Sequence, residues 1–339
     1  MKTLQLDGSE GGGQMLRSAL TLALVTGKPF RMTHIRSQRR KPGLMRQHLT
    51  CVHAAREISG GSADGAEIGS TELVFHAGTV KPGDYRFAIG TAGSTGLLLQ
   101  TLLPALAMAD KPSTLHLSGG THNPLAPPFD FLERIHQPAL QRMGFHAAPQ
   151  LRQHGFAPAG GGEITCAITP SGRLTPLDLT DRGNHESTRI RIPFRNLSAD
   201  IAKRMLQTAL KILPCEDARI DQLPDGPGQG VACLIECGFT NTRAMSCAFG
   251  EMGVSAEKVG HRAARMMDGF LTSNAAVDLH LADQLLLPMA LAGGGRFTTV
   301  NPDDHVTTNI RVIETFLPVK FEVKTSGNGV HEISCDPLG

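Results

Sequence analysis

Met15-Leu16-Arg17-Ser18-Ala19-Leu20-Thr21-Leu22-Ala23-Leu24 reads as a leucine-rich helix with one cation in it, followed by Gly27-Lys28-Pro29 and a strand-like Phe30 to Ile35. The pattern recurs 83 residues on, as Leu98-Leu99-Gln100-Thr101-Leu102-Leu103-Pro104-Ala105-Leu106-Ala107, then Asp110-Lys111-Pro112 and a strand-like Ser113 to Leu117. A third copy is Ala282-Asp283-Gln284-Leu285-Leu286-Leu287-Pro288-Met289-Ala290-Leu291, ended by Gly293-Gly294-Gly295 and followed by a strand-like Arg296 to Val300. Each unit reads helix, glycine or turn stop, then strand. Pro288 follows Gln284 by four, as Pro104 follows Gln100. A proline within a helix costs about 3 kcal/mol, so its return at one phase predicts a shared kink or helix start. Arg17, Gln100 and Gln284 also hold one phase. Three polar residues in register in leucine-rich helices predict a shared site.

Copies one and two lie 83 residues apart and copies two and three 184 apart. The excess of about a hundred residues is the size of a small domain, inserted in the third unit between the loop Asp181-Arg182-Gly183-Asn184 and a helix around Thr272 to Leu281. Within it the sequence predicts a strand (Ser187 to Pro193), a helix (Ala199 to Leu213), strands (Cys215 to Leu223 and Val231 to Phe239) and a helix (Glu257 to Asn274). The expected fold class is α/β (α+β): three repeated helix-on-sheet units forming a large domain, residues 1–182 and 275–339, with a small α/β domain, residues 183–274, inserted in the third unit.

Composition excludes several classes of function. The chain has 339 residues and a formal net charge of +2, so it is no bulk polyanion binder; a nucleic-acid partner must meet a local basic cluster. With no Trp and one tyrosine, Tyr85, stacking on a base falls to Phe, His, Arg or Pro. Seven scattered cysteines form no C-x-x-C pair, which predicts reduced thiols and a cytoplasmic setting. Met1 to Gly8 has no apolar run, so no signal peptide is expected. Leu97 to Ala109, broken by Gln100 and Pro104, is too short to span a bilayer, and no membrane association is expected.

Three loops carry candidate chemistry. Gly11-Gly12-Gly13 opens the first helix, a natural anion seat, with Glu10 beside it to hold a cation bridging to phosphate. Arg36-Ser37-Gln38-Arg39-Arg40-Lys41-Pro42-Gly43 is the densest basic patch and precedes a helix. Asn301 to Ile310 is the matching loop of unit three. Applying the Arg17–Gln284 offset of 267 sets His305 on Gln38, next to Arg39, so that a nucleophile and a phosphate binder face one centre. Arg189 and Arg191, on one strand face with Arg195 beyond, are read as a solvated strand edge, with contact to RNA as the alternative.

At these residues the sequence resembles the RNA 3′-terminal phosphate cyclase family, essentially end to end. His154-Gly155-Phe156-Ala157-Pro158-Ala159-Gly160-Gly161-Gly162 is similar to the family's signature of a basic residue, glycine and proline before three glycines. Glu10 to Arg17, Arg39 to His48, Gly93 to Gln100, Ala282-Asp283-Gln284 and His305 to Ile310 join it in order. The resemblance implies three repeats related to the enolpyruvyl transferase superfamily, with a small domain inserted in the third. It implies that His305 attacks the α-phosphate of ATP, becomes adenylated, and passes AMP to an RNA 3′-terminal phosphate, which the 2′-hydroxyl closes to a 2′,3′-cyclic phosphate. By the same resemblance Gln100, Pro127, Phe131, His280, Leu281, Ala282, Asp283 and Gln284 bind the nucleotide. Arg17, Arg39 and Gln47 hold phosphate or RNA, and Glu10 holds a divalent metal, Mg2+ or Mn2+. His280 stands where the family usually has tyrosine against the adenine. Asp303-Asp304 stands where small or thiol residues are usual; the carboxylates either act on the imidazole's charge, orient its ring or assist a metal. Two rivals are a carboxyvinyl transferase of the same superfamily, needing no covalent histidine, and a non-catalytic RNA-binding relative, expected to lose it.

Overall fold

In each of three sheets two parallel strands flank a helix, a second helix follows, and the chain returns as an antiparallel hairpin. The computed structural model describes residues 2–325 and 329–338, so Met1, residues 326–328 and Gly339 of the expected large domain lie outside the described residues. Unit one is β1 (Leu4–Asp7), α1 (Gly13–Thr26), β2 (Phe30–Thr33), α2 (Arg46–Ser59), β3 (Ser62–Asp64) and β4 (Leu73–His76), with sheet order β1-β2-β4-β3. Unit two begins with β5 (Asp84–Ala88), α3 (Thr95–Ala107) and β6 (Ser113–Gly119). A helical run then joins α4 (Phe129–Phe131), a π-helical turn (Leu132–His136) and α5 (Gln137–Arg142). After it come β7 (His146–Gln153) and β8 (Gly162–Thr169), giving sheet order β5-β6-β8-β7. Unit three opens with β9 (Leu177–Leu179).

The chain then makes β10 (His185–Arg195), α6 (Ala199–Ile212), β11 (Asp217–Gln222), β12 (Gly230–Phe239), β13 (Arg243–Phe249) and α7 (Ala256–Thr272), a separate sheet of order β11-β10-β12-β13. Unit three resumes with α8 (Leu279–Leu291), β14 (Gly295–Val300), α9 (Asp304–Phe316), β15 (Val319–Thr325) and β16 (Val330–Pro337), closing the sheet β9-β14-β16-β15. The pairs β1–β2, β5–β6 and β9–β14 are parallel, and the remaining pairs of those three sheets are antiparallel. The fold class is α/β.

Helices α1, α3 and α8 carry apolar residues nearly all round, which suits helices enclosed on every side. α1 packs on α3 and on α9, and α9 packs on α8. α3 and α8 keep the sequence offset of 184 at both ends. Pro104 and Pro288 fall in the last turn of each, so they mark helix ends and no start. There the missing N–H deprives a single carbonyl of its partner.

A second core lies between α6, α7 and one face of the β10–β13 sheet, around Ile190, Ile192, Met205, Ile235, Val259 and Met267. The other face of that sheet, through Ala232, Leu234 and Phe249, meets Phe156. The single helix expected around Thr272 to Leu281 is two: α7 stops at Thr272, and Asp278 caps α8 by accepting the His280 and Leu281 amides at 2.9 and 3.1 Å. Sequence reading passed over β13 and the helical run from Phe129 to Arg142. All seven cysteines are free; Cys233 and Cys237 are buried, and burial pushes the Cys233 thiol up to about 12. Among the described residues no helix is long and apolar enough to cross a membrane.

Candidate active site

The starts of α1, α3, α8 and α9 converge on a cavity of about 950 Å³. Its centre is polar because the repeat helices bring their in-phase residues together. Gln100 donates through Nε2 to Oε1 of Gln284, whose own Nε2 donates to the His280 carbonyl at 2.5 Å. Arg17, the same-phase residue of unit one, lines the cavity with them. Burial pulls its guanidinium below the ordinary arginine range, and Cys51 and Asp283 push the other way.

Asp283 lines the cavity beside α1. Gln14 donates to its Oδ2 at 2.7 Å, and Asn309 donates to its backbone carbonyl at 3.0 Å while accepting the Ser18 hydroxyl at 2.7 Å. Burial, reinforced by the Asp303 carboxylate, raises the Asp283 carboxyl to about 7. Gln14, Ser18 and Asn309 were not read from the sequence. Their only signal was spacing from the repeat residues: Gln14 one turn before Arg17 and Asn309 one turn after His305.

The glycine run meets its expected geometry. Gly12 is the N-cap of α1 and supplies no side chain, and no acid occupies the first turn, so the leading amides are left for an anion. A Cβ on Gly13 would fall 2.1 Å from His48 Nε2, and one on Gly12 would fall 3.1 Å from Arg39 Nη2. These two glycines allow the cation and the imidazole to close over the helix start. His48 Nδ1 accepts the Met45 amide at 3.2 Å, which leaves the proton on Nε2, the edge facing Gly13. Burial, with Arg17 and Arg36 nearby, lowers His48 to about 3, so it is a neutral donor. Arg36 is occupied, donating to the Lys41 and Gly43 carbonyls at 2.9 and 2.7 Å, and staples the basic loop that carries Arg39.

His305 is exposed at the cavity rim, though not in a loop. It is the second residue of α9, and Asp303 is the N-cap, its Oδ1 accepting the His305 and Val306 amides at 2.9 and 3.4 Å. The equivalent second residue of α2 is Gln47, not Gln38. Unit one spends residues 34–45 between strand and helix where unit three spends 301–303, and the ungapped offset missed those nine extra residues. Gln47 lines the same cavity, and its Oε1 accepts the Ser94 amide at 2.8 Å.

Of the expected nucleotide residues, Gln100, Pro127, Phe131, His280, Asp283 and Gln284 line the cavity together. Leu281 and Ala282 do not: they are 1% and 0% exposed and face the apolar core, turned away from the cavity. Glu10 also lies outside the lining, is exposed, and is paired with Arg311. Among the described residues no group of three or more His, Cys, Asp or Glu could hold a metal ion. One wall comes from β13 and α7, through Met245, Cys247, Phe249 and Arg262.

The His154 to Gly162 stretch reaches the cavity through Ala157, which lines it with Asn123 to Pro128. His154 stacks on His122 at 4.8 Å, and His122 Nε2 lies 2.8 Å from Asp130 Oδ2. Gly155 is required there, since a Cβ would fall 2.3 Å from the Gly162 amide nitrogen.

Comparison with known proteins bears on the family. A family model described as RNA 3′-terminal phosphate cyclase matches residues 8–323. A protein of that name from Ralstonia nicotianae is 51% identical over 324 residues, 95% of this chain and 93% of its own length. Another of that name from Pseudomonas fluorescens is 49% identical over 337 residues, 99% of this chain and 98% of its own. Among solved structures, an EPSP synthase from Acinetobacter baumannii is matched over all of this chain and 65% of its own length, at 12% identity and a TM-score of 0.31. On the family match and the near-complete coverage by both relatives, the chain belongs to the RNA 3′-terminal phosphate cyclase family.

Proposed function

We propose that this chain uses ATP to adenylate His305 and then converts an RNA 3′-terminal phosphate to a 2′,3′-cyclic phosphodiester. The observation that carries this reading is that His305 stands on the rim of one cavity with Arg17, Arg39 and the uncapped start of α1. A ring nitrogen of His305 attacks the α-phosphorus, the bond to the β-phosphate breaks, and pyrophosphate leaves. The RNA 3′-phosphate oxygen then attacks the same phosphorus, the P–N bond breaks, and His305 is restored. Finally the 2′-hydroxyl attacks the 3′-phosphorus, loses its proton, and expels AMP. Tethering beside the target drives this closure.

In this reading Gln100, Asp283, Gln284 and His280 hold the nucleotide, with Pro127 and Phe131 against the adenine. The α1 amides, Arg17, Arg39, Gln47 and the His48 Nε2–H hold phosphates. The divalent metal implied by the resemblance would be held between the nucleotide phosphates, water and Glu10, and would offset phosphate charge there; no step here depends on it. Residues 183–274 act as an inserted domain that supplies one cavity wall. Seven free thiols support work in the reducing cytoplasm.

The test offers the protein ATP and a synthetic RNA ending in a 3′-phosphate, beside the same oligomer with a 2′-deoxy terminal sugar. The reading expects a phosphatase-resistant end on the ribose substrate and none on the deoxy one. Conversion of both, or of neither by folded protein, refutes it.

A further inference from the structure

His136 lines the inner wall of the cavity, and the mechanism above gives it no work. It is 6% exposed, and burial alone lowers it to about 4, with no hydrogen-bond or charged partner acting on the ring. A neutral imidazole in that state keeps one N–H and one bare nitrogen, neither matched within the protein. Neither nitrogen is an occluded orphan, so both open onto the cavity, where a donor and an acceptor without a protein partner are available to a ligand.

The backbone is bent to put it there. Pro138, near the start of α5, has no N–H, and its ring crowds the carbonyl four residues back, that of Arg134. The helix widens just before it, with the Gln137 amide bonding to the Leu132 carbonyl five residues back. Residues five apart in a regular α-helix are turned by about 140° from each other. Across this wide turn Phe131 and His136, five apart, line the same cavity. Apolar Leu140, Met245 and Leu287 line it too, and offer no competing polar group.

We propose that His136 recognises the nucleobase of the bound nucleotide, one ring nitrogen accepting from the exocyclic amino group of adenine. This rests on the reading of the cavity as an ATP site with the base between Pro127, Phe131 and His280, and it adds the residue that reads the base edge. Stacking residues hold any base; a polar group on the edge sorts one from another. The imidazole remains free to exchange tautomers, so the effect expected is modest.

The test is a two-by-two comparison by titration calorimetry, which requires no catalysis. AMP and purine riboside monophosphate, which lacks the amino group, are titrated into wild type and His136→Phe; His136→Gln serves as the variant that keeps an acceptor. Losing the amino group should weaken binding to wild type and to His136→Gln by roughly threefold to tenfold, and leave binding to His136→Phe unchanged. An equal loss in wild type and His136→Phe, or no loss in wild type, overturns the assignment while leaving the ATP reading intact. Failure of wild type to bind either nucleotide removes both. His136→Phe that fails to fold is replaced as the acceptor-free form by His136→Leu, judged by the same ratio.

Discussion

Asp283 is where repeat geometry becomes electrostatics. It precedes Gln284, lies under Gln14, and is held near pH 7 by burial and by Asp303. A carboxyl raised in the folded state above its unfolded value contributes stability in its protonated form. That contribution is complete below about pH 4 and is lost as pH climbs through about 7. Asp283→Asn should therefore match wild type at pH 4 and gain on it by several degrees of melting temperature at pH 8. Thermal melts of both proteins across that range check this, and a constant difference would mean the carboxyl is not perturbed. The phase of Arg17, Gln100 and Gln284 was readable because a repeated residue in a repeated helix needs no structure to align it. Gln14 and Asn309 were not readable, since each acts through a partner more than twenty residues away in the chain, Asp283.

At the scale of an element, α9 shows why His305 was given an incorrect setting. Asp303 and Asp304 stood out in the sequence as departures beside His305. In the fold Asp303 is the helix N-cap and Asp304 lies in the first turn, where negative charge meets the positive end of the helix. The cap fixes the backbone of the residue that carries the imidazole. Asp303→Ala should cost about 1 kcal/mol in denaturant melts and Asp303→Asn only a few tenths. Adenylation should fall with Asp303→Ala and largely survive Asp303→Asn; equal activity in both would separate the cap from the chemistry. The loop before the helix was misjudged because unit one is nine residues longer there, and loop length leaves no trace in helix periodicity. The Phe129 to Arg142 run was missed for a related reason: Pro128 and Pro138 break the helical pattern that the fold keeps by widening one turn.

Over the whole molecule, the offsets of 83 and 184 led to the expectation of three units and an inserted segment, and three of the sheets share one strand order. Less readable was how the inserted sheet meets the body. β13 (Arg-Ala-Met-Ser-Cys-Ala-Phe) has no β-branched residue, so nothing local announces the strand that lines the cavity. Its attachment is partly ionic, beside the apolar contact of Ala232, Leu234 and Phe249 with Phe156. Glu236, 7% exposed on β12, accepts from Arg134 of the π-helical turn and, at 2.9 Å, from Arg243 of β13. Glu236→Ala strands a partly buried arginine and should lower stability by about 2–3 kcal/mol, read as a lower denaturant midpoint with an unchanged slope. It should also raise the nucleotide KM, because β13 carries one cavity wall; an unaltered KM would show that this tie does not hold the wall.

The central claim is that His305 becomes covalently adenylated. Incubation of wild type and His305→Ala with ATP labelled at the α-phosphate, followed by denaturing electrophoresis, tests it most directly. The account predicts an acid-labile labelled band for wild type and none for the variant. An unlabelled wild-type band from folded protein supplied with a divalent metal, or a labelled His305→Ala band, would contradict it.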